Sequence, residues 1–182
     1  MDPFAVIGAP RRFDLDLSAL EKTHRELARA LHPDKFAHAS TSERRIALEK
    51  AATVNEAWRI VRDPIRRAEA LFGIGGIAVG HTREPQASSA FLMDVLEQRE
   101  ALAQARKDRD MVKVRALGEH FEARAKAAEE KLTQGFALAF AGRESAPDRG
   151  ALETVLPVLG ELRFYRRFID EVSAIIEEEE VS

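Results

Sequence analysis

Helical spacing dominates the pattern of apolar and polar positions in this 182-residue chain. In the first long segment, apolar residues recur at steps of three and four, which places them on one face of a helix: Leu17, Leu20, Leu27 and Leu31. Ser18 and Glu21 have the spacing of a capping box, so the helix is predicted to begin near residue 17. It should end near His32, because a residue that precedes proline is disfavoured in the α region.

A second helix is predicted to follow a short polar loop. Ser40 and Glu43 form another candidate capping box, and Asp63-Pro64 marks the end of the segment. The apolar stripe of this helix consists of Ala47, Ala51, Val54, Trp58 and Val61. Two helices of similar length joined by a short loop pack as an antiparallel hairpin, which leaves the sequence HPDKF (32–36) at an exposed tip.

The second half of the chain also reads as helical, in three segments at 88–107, 110–140 and 148–180. Gly118 and Gly135 should weaken the middle segment, while Pro157 with Gly160 should kink or interrupt the last one. Strand patterns of period two are nearly absent. The predicted fold class is therefore all-α, with a helix hairpin followed by a three-helix bundle.

Glycine and proline concentrate at 73–85, in the sequence GIGGIAVGHTREP, which makes this stretch the best candidate for a domain boundary. Its apolar residues suggest a linker that is packed and holds the two domains in a fixed relation. The predicted division is a first domain at 1–72, a linker at 73–84 and a C-terminal domain at 85–182.

Composition excludes several classes of function. The hydrophobic fraction of 45% fits an ordered globular protein, and the absence of cysteine removes disulfides, thiolate metal sites and cysteine nucleophiles. No apolar stretch has the length of a membrane span or a signal peptide, so a cytoplasmic protein is expected. Residues 1–72 carry 13 Lys and Arg against 11 Asp and Glu, within a chain of net charge −3. This balance favours an acidic protein partner over nucleic acid.

The tip sequence has three interpretations on its residues alone. His32 and Asp34 could act as an acid–base pair in a hydrolase, although such chemistry also needs a nucleophile or metal and an enclosed pocket. A metal site could be assembled from His24, His32, Asp34 and His38, but their spacing matches no known zinc signature. The structural alternative is a turn built by Pro33 and Asp34. No phosphate-binding GxxxxGK loop is present, and no cofactor is expected.

A resemblance to a known family rests on several motifs in a fixed order. HPDKF after a basic amphipathic helix, followed by NEAW and DPIRRAEAL, resembles the J-domain of DnaJ-type co-chaperones. Three further motifs extend the resemblance: MDPFAVIGAP at the start, FLMDVLEQREAL after the linker and LRFYRRF in the last helix. With these motifs the chain is similar to the HscB family, the J-type co-chaperones of iron–sulfur cluster assembly. The motifs span residues 1 to about 168. The resemblance implies a J-domain and a three-helix domain in an L-shaped arrangement, without the Cys-rich zinc module of some eukaryotic relatives.

The resemblance assigns a role to the tip. In that family the residues matching His32, Pro33 and Asp34 stimulate ATP hydrolysis by a DnaK-class chaperone, called HscA in bacteria, and the J protein is not itself an enzyme. The positive residues that lead to the tip step by three and four along one helix face and fit a docking role: Lys22, Arg25 and Arg29, with Lys35 in the tip. Without the tip, a merely solvated helix face would be the better explanation of these residues.

A second site is expected on the helix at 88–107. Phe91, Val95, Leu102 and Ala105 form one apolar stripe, and Leu92, Leu96 and Ala103 form another roughly 100° away. The resemblance implies that the second stripe contributes to a surface for the cluster scaffold protein IscU, made of Leu92, Met93, Leu96, Glu97 and Glu100, with Phe164 from the last helix. Two alternatives stay open: both stripes are core of the bundle, or the chain is a generic J-domain co-chaperone with a different client. Pro157 and Gly160 leave the position of Phe164 undecided.

Overall fold

The computed structural model describes residues 1–79, 88–142 and 147–181, and all regular structure in these ranges is helical, which confirms the all-α prediction. The helices, in chain order, are α1 (Pro3–Ile7), α2 (Leu17–Ala30), a 3-10 turn (Pro33–Phe36), α3 (Thr41–Arg62), α4 (Pro64–Ile74), α5 (Ser89–Lys107), α6 (Met111–Phe140) and α7 (Arg149–Val181). The predicted starts and ends of α2, α3 and the last three helices agree with these bounds to within two residues.

The chain forms two compact units. Among the described residues, the first unit contains 1–79, 136–142 and 147–149, and the second contains 88–135 and 150–181. The sequence-based division at 1–72, 73–84 and 85–182 stays a prediction, and its linker residues 80–84 lie outside the described residues. Within the described part of the linker, Ile77 is buried.

Helices α2 and α3 pack against each other in the first unit. The Nε2 atom of His24 in α2 lies 3.0 Å from the side-chain oxygen of Asn55, and the His24 ring stacks on the ring of Trp58, with 5.3 Å between ring centroids.

The predicted capping box at Ser18 is wrong: Asp16 is the N-cap of α2, and its carboxylate accepts a hydrogen bond from the backbone N–H of Ala19. A carboxylate two residues earlier satisfies the same free amides at the helix start.

The capping box predicted for α3 is confirmed. The Ser40 hydroxyl accepts a hydrogen bond from the backbone N–H of Glu43, and the Glu43 carboxylate accepts one from the Ser40 N–H at 2.8 Å. These side-chain and backbone hydrogen bonds from Ser40 lower the pKa of Glu43. Together the two residues fix where the chain leaves the tip and enters α3.

Two short elements escape the sequence patterns. Helix α1 has five residues, but Phe4 and Ile7 are fully buried and Asp2 caps it by accepting from the Phe4 N–H. Helix α4 begins at Pro64, with Asp63 as N-cap, directly after α3. Helices of one to three turns give little periodicity in the sequence, so tertiary burial determines that these segments are helical.

Aromatic packing holds Phe136, in the part of α6 that belongs to the first unit, against other residues of that unit. The ring of Phe136 lies 5.7 Å from that of Phe13 and 4.9 Å from that of Phe72. Arg67 is buried beside them, donates a hydrogen bond to the backbone oxygen of Phe13 and lies over the Phe13 ring. The N-terminal segment is thus fixed to α4 and to the last turns of α6.

In the second unit, α6 and α7 approach closely at their glycines. A Cβ added at Gly135 would overlap Cγ1 of Val155, and one at Gly118 would lie 3.0 Å from Cγ1 of Val172. Gly118 and Gly135 therefore serve as contact points and not as helix breaks.

The predicted interruption at Pro157 is wrong, because α7 runs through it as one helix. Pro157 is exposed, so water can replace the hydrogen bond that proline does not donate.

Candidate docking surfaces

The tip between α2 and α3 presents His32 and Asp34 to solvent. The backbone folds into a 3-10 turn because Pro33 fixes the first turn position and the N–H of Lys35 donates to the carbonyl of His32 at 3.0 Å. The side chain of His32 is 59% exposed and that of Asp34 is 90% exposed. Pro33 and Lys35 are exposed as well. The structure thus brings all four predicted tip residues together on one small, accessible surface.

The imidazole of His32 caps its own turn. Its Nδ1 lies 3.3 Å from the backbone nitrogen of Asp34 and 3.4 Å from an Asp34 carboxylate oxygen. A neutral ring accepts from the amide, whereas a protonated ring pairs with the carboxylate, so only one of the two contacts is favourable in each charge state. Both distances are long for hydrogen bonds. The polar atoms of the tip are therefore oriented but remain available to a partner.

The predicted positive stripe lies on the solvent side of α2. Lys22, Arg25 and Arg29 are all exposed. Arg25 forms an ion pair with Glu21 at 2.6 Å, one turn earlier in the helix. An exposed pair of this kind contributes little to stability, and its Arg can exchange partners readily. The stripe keeps a net positive charge, and its residues follow one another along the helix towards the tip.

The predicted scaffold surface on α5 is accessible. Leu92, Met93 and Leu96 are 50%, 58% and 55% exposed, and Glu97 and Glu100 beside them are exposed too. The alternative in which both apolar stripes of α5 are core is therefore wrong. We refer to the three apolar residues, with their two carboxylates, as the α5 patch. An apolar centre with a charged rim is the composition of a protein-binding surface.

Phe164 corrects the prediction, because it is not an exposed member of the α5 patch. It is 7% exposed, and its ring packs edge-on against Phe91 at 5.7 Å between centroids. Phe121 and Phe168 complete this aromatic core, with their rings stacked at 3.9 Å. Phe164 lies on the inward side of α7, which runs through Pro157 as one helix. Phe164 therefore contacts the inward side of α5, through the ring of Phe91.

A cluster that the sequence did not indicate lies beside α5. Asp94 of α5 forms an ion pair at 2.6 Å with Arg124 of α6, whose guanidinium lies 4.9 Å from the ring centroid of Tyr165 in α7. The three residues line an open cleft of ≈ 450 Å³, together with Phe91 and Lys131 among others. Burial raises the pKa of Tyr165, so the phenol stays neutral. No local spacing signals this cluster, because its members come from three helices.

Neither a metal site nor a membrane span occurs in the part of the chain that the structure describes. No group of three His, Asp or Glu side chains in these ranges is placed to hold a metal ion, and His24 faces Asn55 and Trp58 rather than His32. No helix in the described ranges is long and apolar enough to cross a bilayer. The metal alternative for the tip is thus not supported by the arrangement of its four candidate ligands.

Comparison with known proteins gives consistent sequence matches. Residues 87–173 match the family model described as the HSCB C-terminal oligomerisation domain. A protein of Aromatoleum aromaticum named co-chaperone protein HscB homolog is 42% identical over 105 residues, which cover 58% of this chain and 59% of that protein. A protein of Bordetella petrii with the same name is 42% identical over 107 residues, covering 59% and 63%. The chain spans about three fifths of the length of these curated relatives.

Solved structures match over nearly the whole chain. The structure of the chaperone HscB from Vibrio cholerae has a TM-score of 0.81 and 27% identity, and the match covers 98% of this chain and 99% of that one. The crystal structure of the human co-chaperone protein HscB also has a TM-score of 0.81, at 20% identity, over 96% and 81% of the two chains. At that identity the human match shows the fold alone.

Proposed function

We propose that the chain is a member of the HscB family of co-chaperones, which its C-terminal sequence and its fold resemble, and that it delivers an IscU-like scaffold protein to an HscA-like chaperone. The chaperone is a DnaK-class ATPase, and the chain stimulates its ATP hydrolysis. The outcome is transfer of the iron–sulfur cluster from the scaffold and maturation of iron–sulfur proteins.

The observation that carries this proposal is the exposure of two chemically different surfaces on one chain. The tip with His32 and Asp34 lies in the first unit, and the α5 patch lies in the second. Exposed leucine and methionine side chains in a cluster are a cost to a free protein, and a partner that covers them gains their desolvation energy. The tip and its positive stripe are polar, which suits a second partner with an acidic surface.

The tip residues act on the chaperone and perform no chemistry themselves. Their high exposure argues against acid–base catalysis, which depends on a desolvated site that shifts the pKa of its groups. We assign His32, Pro33, Asp34 and Lys35 to contact with the ATPase, and the stripe of Lys22, Arg25 and Arg29 to steering the encounter. Steering of this kind weakens with ionic strength, since the Debye length falls to about 8 Å at 0.15 M salt.

A steady-state ATPase assay tests the proposal. An HscA-like chaperone is measured alone, with the chain, with an IscU-like scaffold, and with both. We expect the chain alone to raise the ATPase rate of the chaperone modestly. Adding the scaffold should raise this rate by a further factor of about ten or more, because tethering through the scaffold raises the effective concentration of the chain at the chaperone. Equal rates with and without scaffold would favour the alternative of a generic J-domain co-chaperone with a different client. Hydrolysis by the chain without a chaperone would overturn the proposal.

A further inference from the structure

Sulfur occurs in this chain only in methionine side chains. The chain has three methionines and no cysteine, so the thioether is its most readily oxidised side-chain group. Met93 of α5 is 58% exposed and Met1 is 72% exposed, whereas Met111 at the start of α6 is half-buried. Two of the three methionine side chains are thus accessible to a small oxidant in solution.

Only one of the two accessible methionines lies in a candidate binding surface. Met93 belongs to the α5 patch, beside Leu92 and Leu96, which are 50% and 55% exposed. Met1 lies in the first unit, outside the tip and its positive stripe. A change of polarity at Met93 therefore alters a surface that suits a protein partner, and the same change at Met1 does not.

Helix spacing places Met93 at the border between the leucines and the carboxylates of the α5 patch. Leu96 follows Met93 by three residues, Glu97 by four and Glu100 by seven, so all lie on the same side of the helix. Ionised carboxylates only accept hydrogen bonds. Because a sulfoxide oxygen is also an acceptor, neither Glu97 nor Glu100 can satisfy it once a partner has displaced water from the patch.

We propose that Met93 is an oxidation site, at which hydroperoxides convert the thioether to a sulfoxide and thereby weaken the binding of the scaffold to the α5 patch. The sulfur attacks one oxygen of hydrogen peroxide, an S–O bond forms as the O–O bond breaks, and the second oxygen leaves as water. The sulfur is oxidised by two electrons, and the peroxide is reduced by two. The accessibility of Met93 does not depend on the proposed function, whereas the effect on scaffold binding rests on it.

The free chain should tolerate this modification. Met93 is mostly exposed, so water solvates the sulfoxide and the fold loses no buried side chain. In the complex the oxygen is covered without a donor from the patch, and a buried polar group without a hydrogen bond should lower the affinity about tenfold. Sulfoxide reductases restore the thioether. Oxidation at Met93 is therefore a reversible switch on scaffold binding and leaves the fold intact.

Mass spectrometry of the chain alone tests the oxidation. The chain is treated with hydrogen peroxide, the peroxide is removed before digestion, and the oxidised fraction of each methionine is followed with time. Met93 should be oxidised at least about threefold faster than the half-buried Met111, with Met1 as the exposed reference. Oxidation of Met93 no faster than that of Met111 would overturn the proposal.

Binding to an IscU-like scaffold tests the consequence, with peroxide removed before the scaffold is added. Oxidation should lower the affinity of the parent chain about tenfold, and methionine sulfoxide reductases should restore it. Met93→Gln should bind about fivefold more weakly than Met93→Leu, and peroxide should change the affinity of neither variant, because both lack the sulfur. The control Met111→Leu should lose affinity on oxidation as the parent does. An unchanged affinity of the parent after oxidation of Met93 would contradict the proposal.

The variant Leu92→Ala with Leu96→Ala separates the two ways in which these expectations can fail. If it binds the scaffold as the parent does, the scaffold binds elsewhere, and the proposed function and the role of Met93 both fail. If it binds weakly while the oxidised parent keeps its affinity, the proposed function stands and only the role of Met93 fails.

Discussion

His32 and Asp34 are the residues for which exposure matters most. The turn that carries them is built by Pro33 and by backbone hydrogen bonds, and their side chains contribute only the weak contacts at 3.3 and 3.4 Å. Stability and partner recognition are therefore separable at this position. A residue that supports the fold is expected to lower the free energy of unfolding when changed, whereas a docking residue is not.

We predict that His32→Gln abolishes stimulation of the partner ATPase and changes the free energy of unfolding by less than about 1 kcal/mol. The imidazole is mostly exposed, so its loss opens no cavity, but glutamine does not reproduce the position of the ring nitrogens. ATPase rates and urea denaturation of the same preparation measure the two effects. His38→Gln is the matched control, since His38 is an exposed histidine in the same loop, and it should retain stimulation. A parallel fall of stability and stimulation in His32→Gln would make the tip structural.

At the scale of elements, the sequence predicts what local chemistry determines. The capping box of Ser40 and Glu43 was predictable because both partners lie within one turn. Local spacing predicts Ser18 as the cap of α2, whereas Asp16 is the cap in the structure, because both residue types cap well and spacing alone does not rank them. The five residues of α1 are helical through burial of Phe4 and Ile7, a tertiary effect without a periodic signature.

The crossing of α6 and α7 depends on contacts between helices, so the sequence alone suggests the wrong role for its glycines. Helix propensity predicts that Gly135 weakens α6 by about 1 kcal/mol relative to alanine. In the structure, replacing Gly135 by alanine would not give this gain in stability, because the added Cβ would lie within 3.0 Å of three atoms of Val155. The χ1 angle of valine in a helix is nearly fixed, so the Val155 side chain cannot turn aside.

Gly135→Ala is accordingly expected to destabilise the chain by about 1–2 kcal/mol, since the overpacking cost exceeds the gain in helix propensity. Thermal unfolding followed by circular dichroism measures the change. Val155→Ala in the same chain should recover most of the loss, because it removes the two nearest methyl groups. Gly73→Ala is the control: Gly73 lies in α4 with no atom within 4 Å of the added Cβ, and it should be neutral or stabilising. A stabilised Gly135→Ala would show that the two helices separate freely.

At the scale of the whole molecule, the two candidate surfaces were predictable to different degrees. The exposure of Leu92 and Leu96 agrees with the expectation from the resemblance, whereas Phe164 is core, with its ring packed against Phe91 and Phe121. The pairing of Asp94 with Arg124 had no signal in the sequence, since ion pairs between helices leave no periodic pattern. Sequence thus identifies which side chains are available for binding, and tertiary packing decides which of them face outward.

Coupling between the two surfaces can be tested by disabling only the α5 patch. Leu92→Ala with Leu96→Ala should leave the basal ATPase stimulation by the tip unchanged and remove the additional stimulation that the scaffold provides. Both leucines are half exposed, so their truncation opens no buried cavity and the unfolding midpoint should change little. Val112→Ala is the matched control, because Val112 is an 82% exposed apolar residue on α6, and it should behave like the parent chain. A loss of basal stimulation in the patch variant would mean that the chaperone itself binds α5, whereas a retained scaffold effect would place the scaffold elsewhere on the chain.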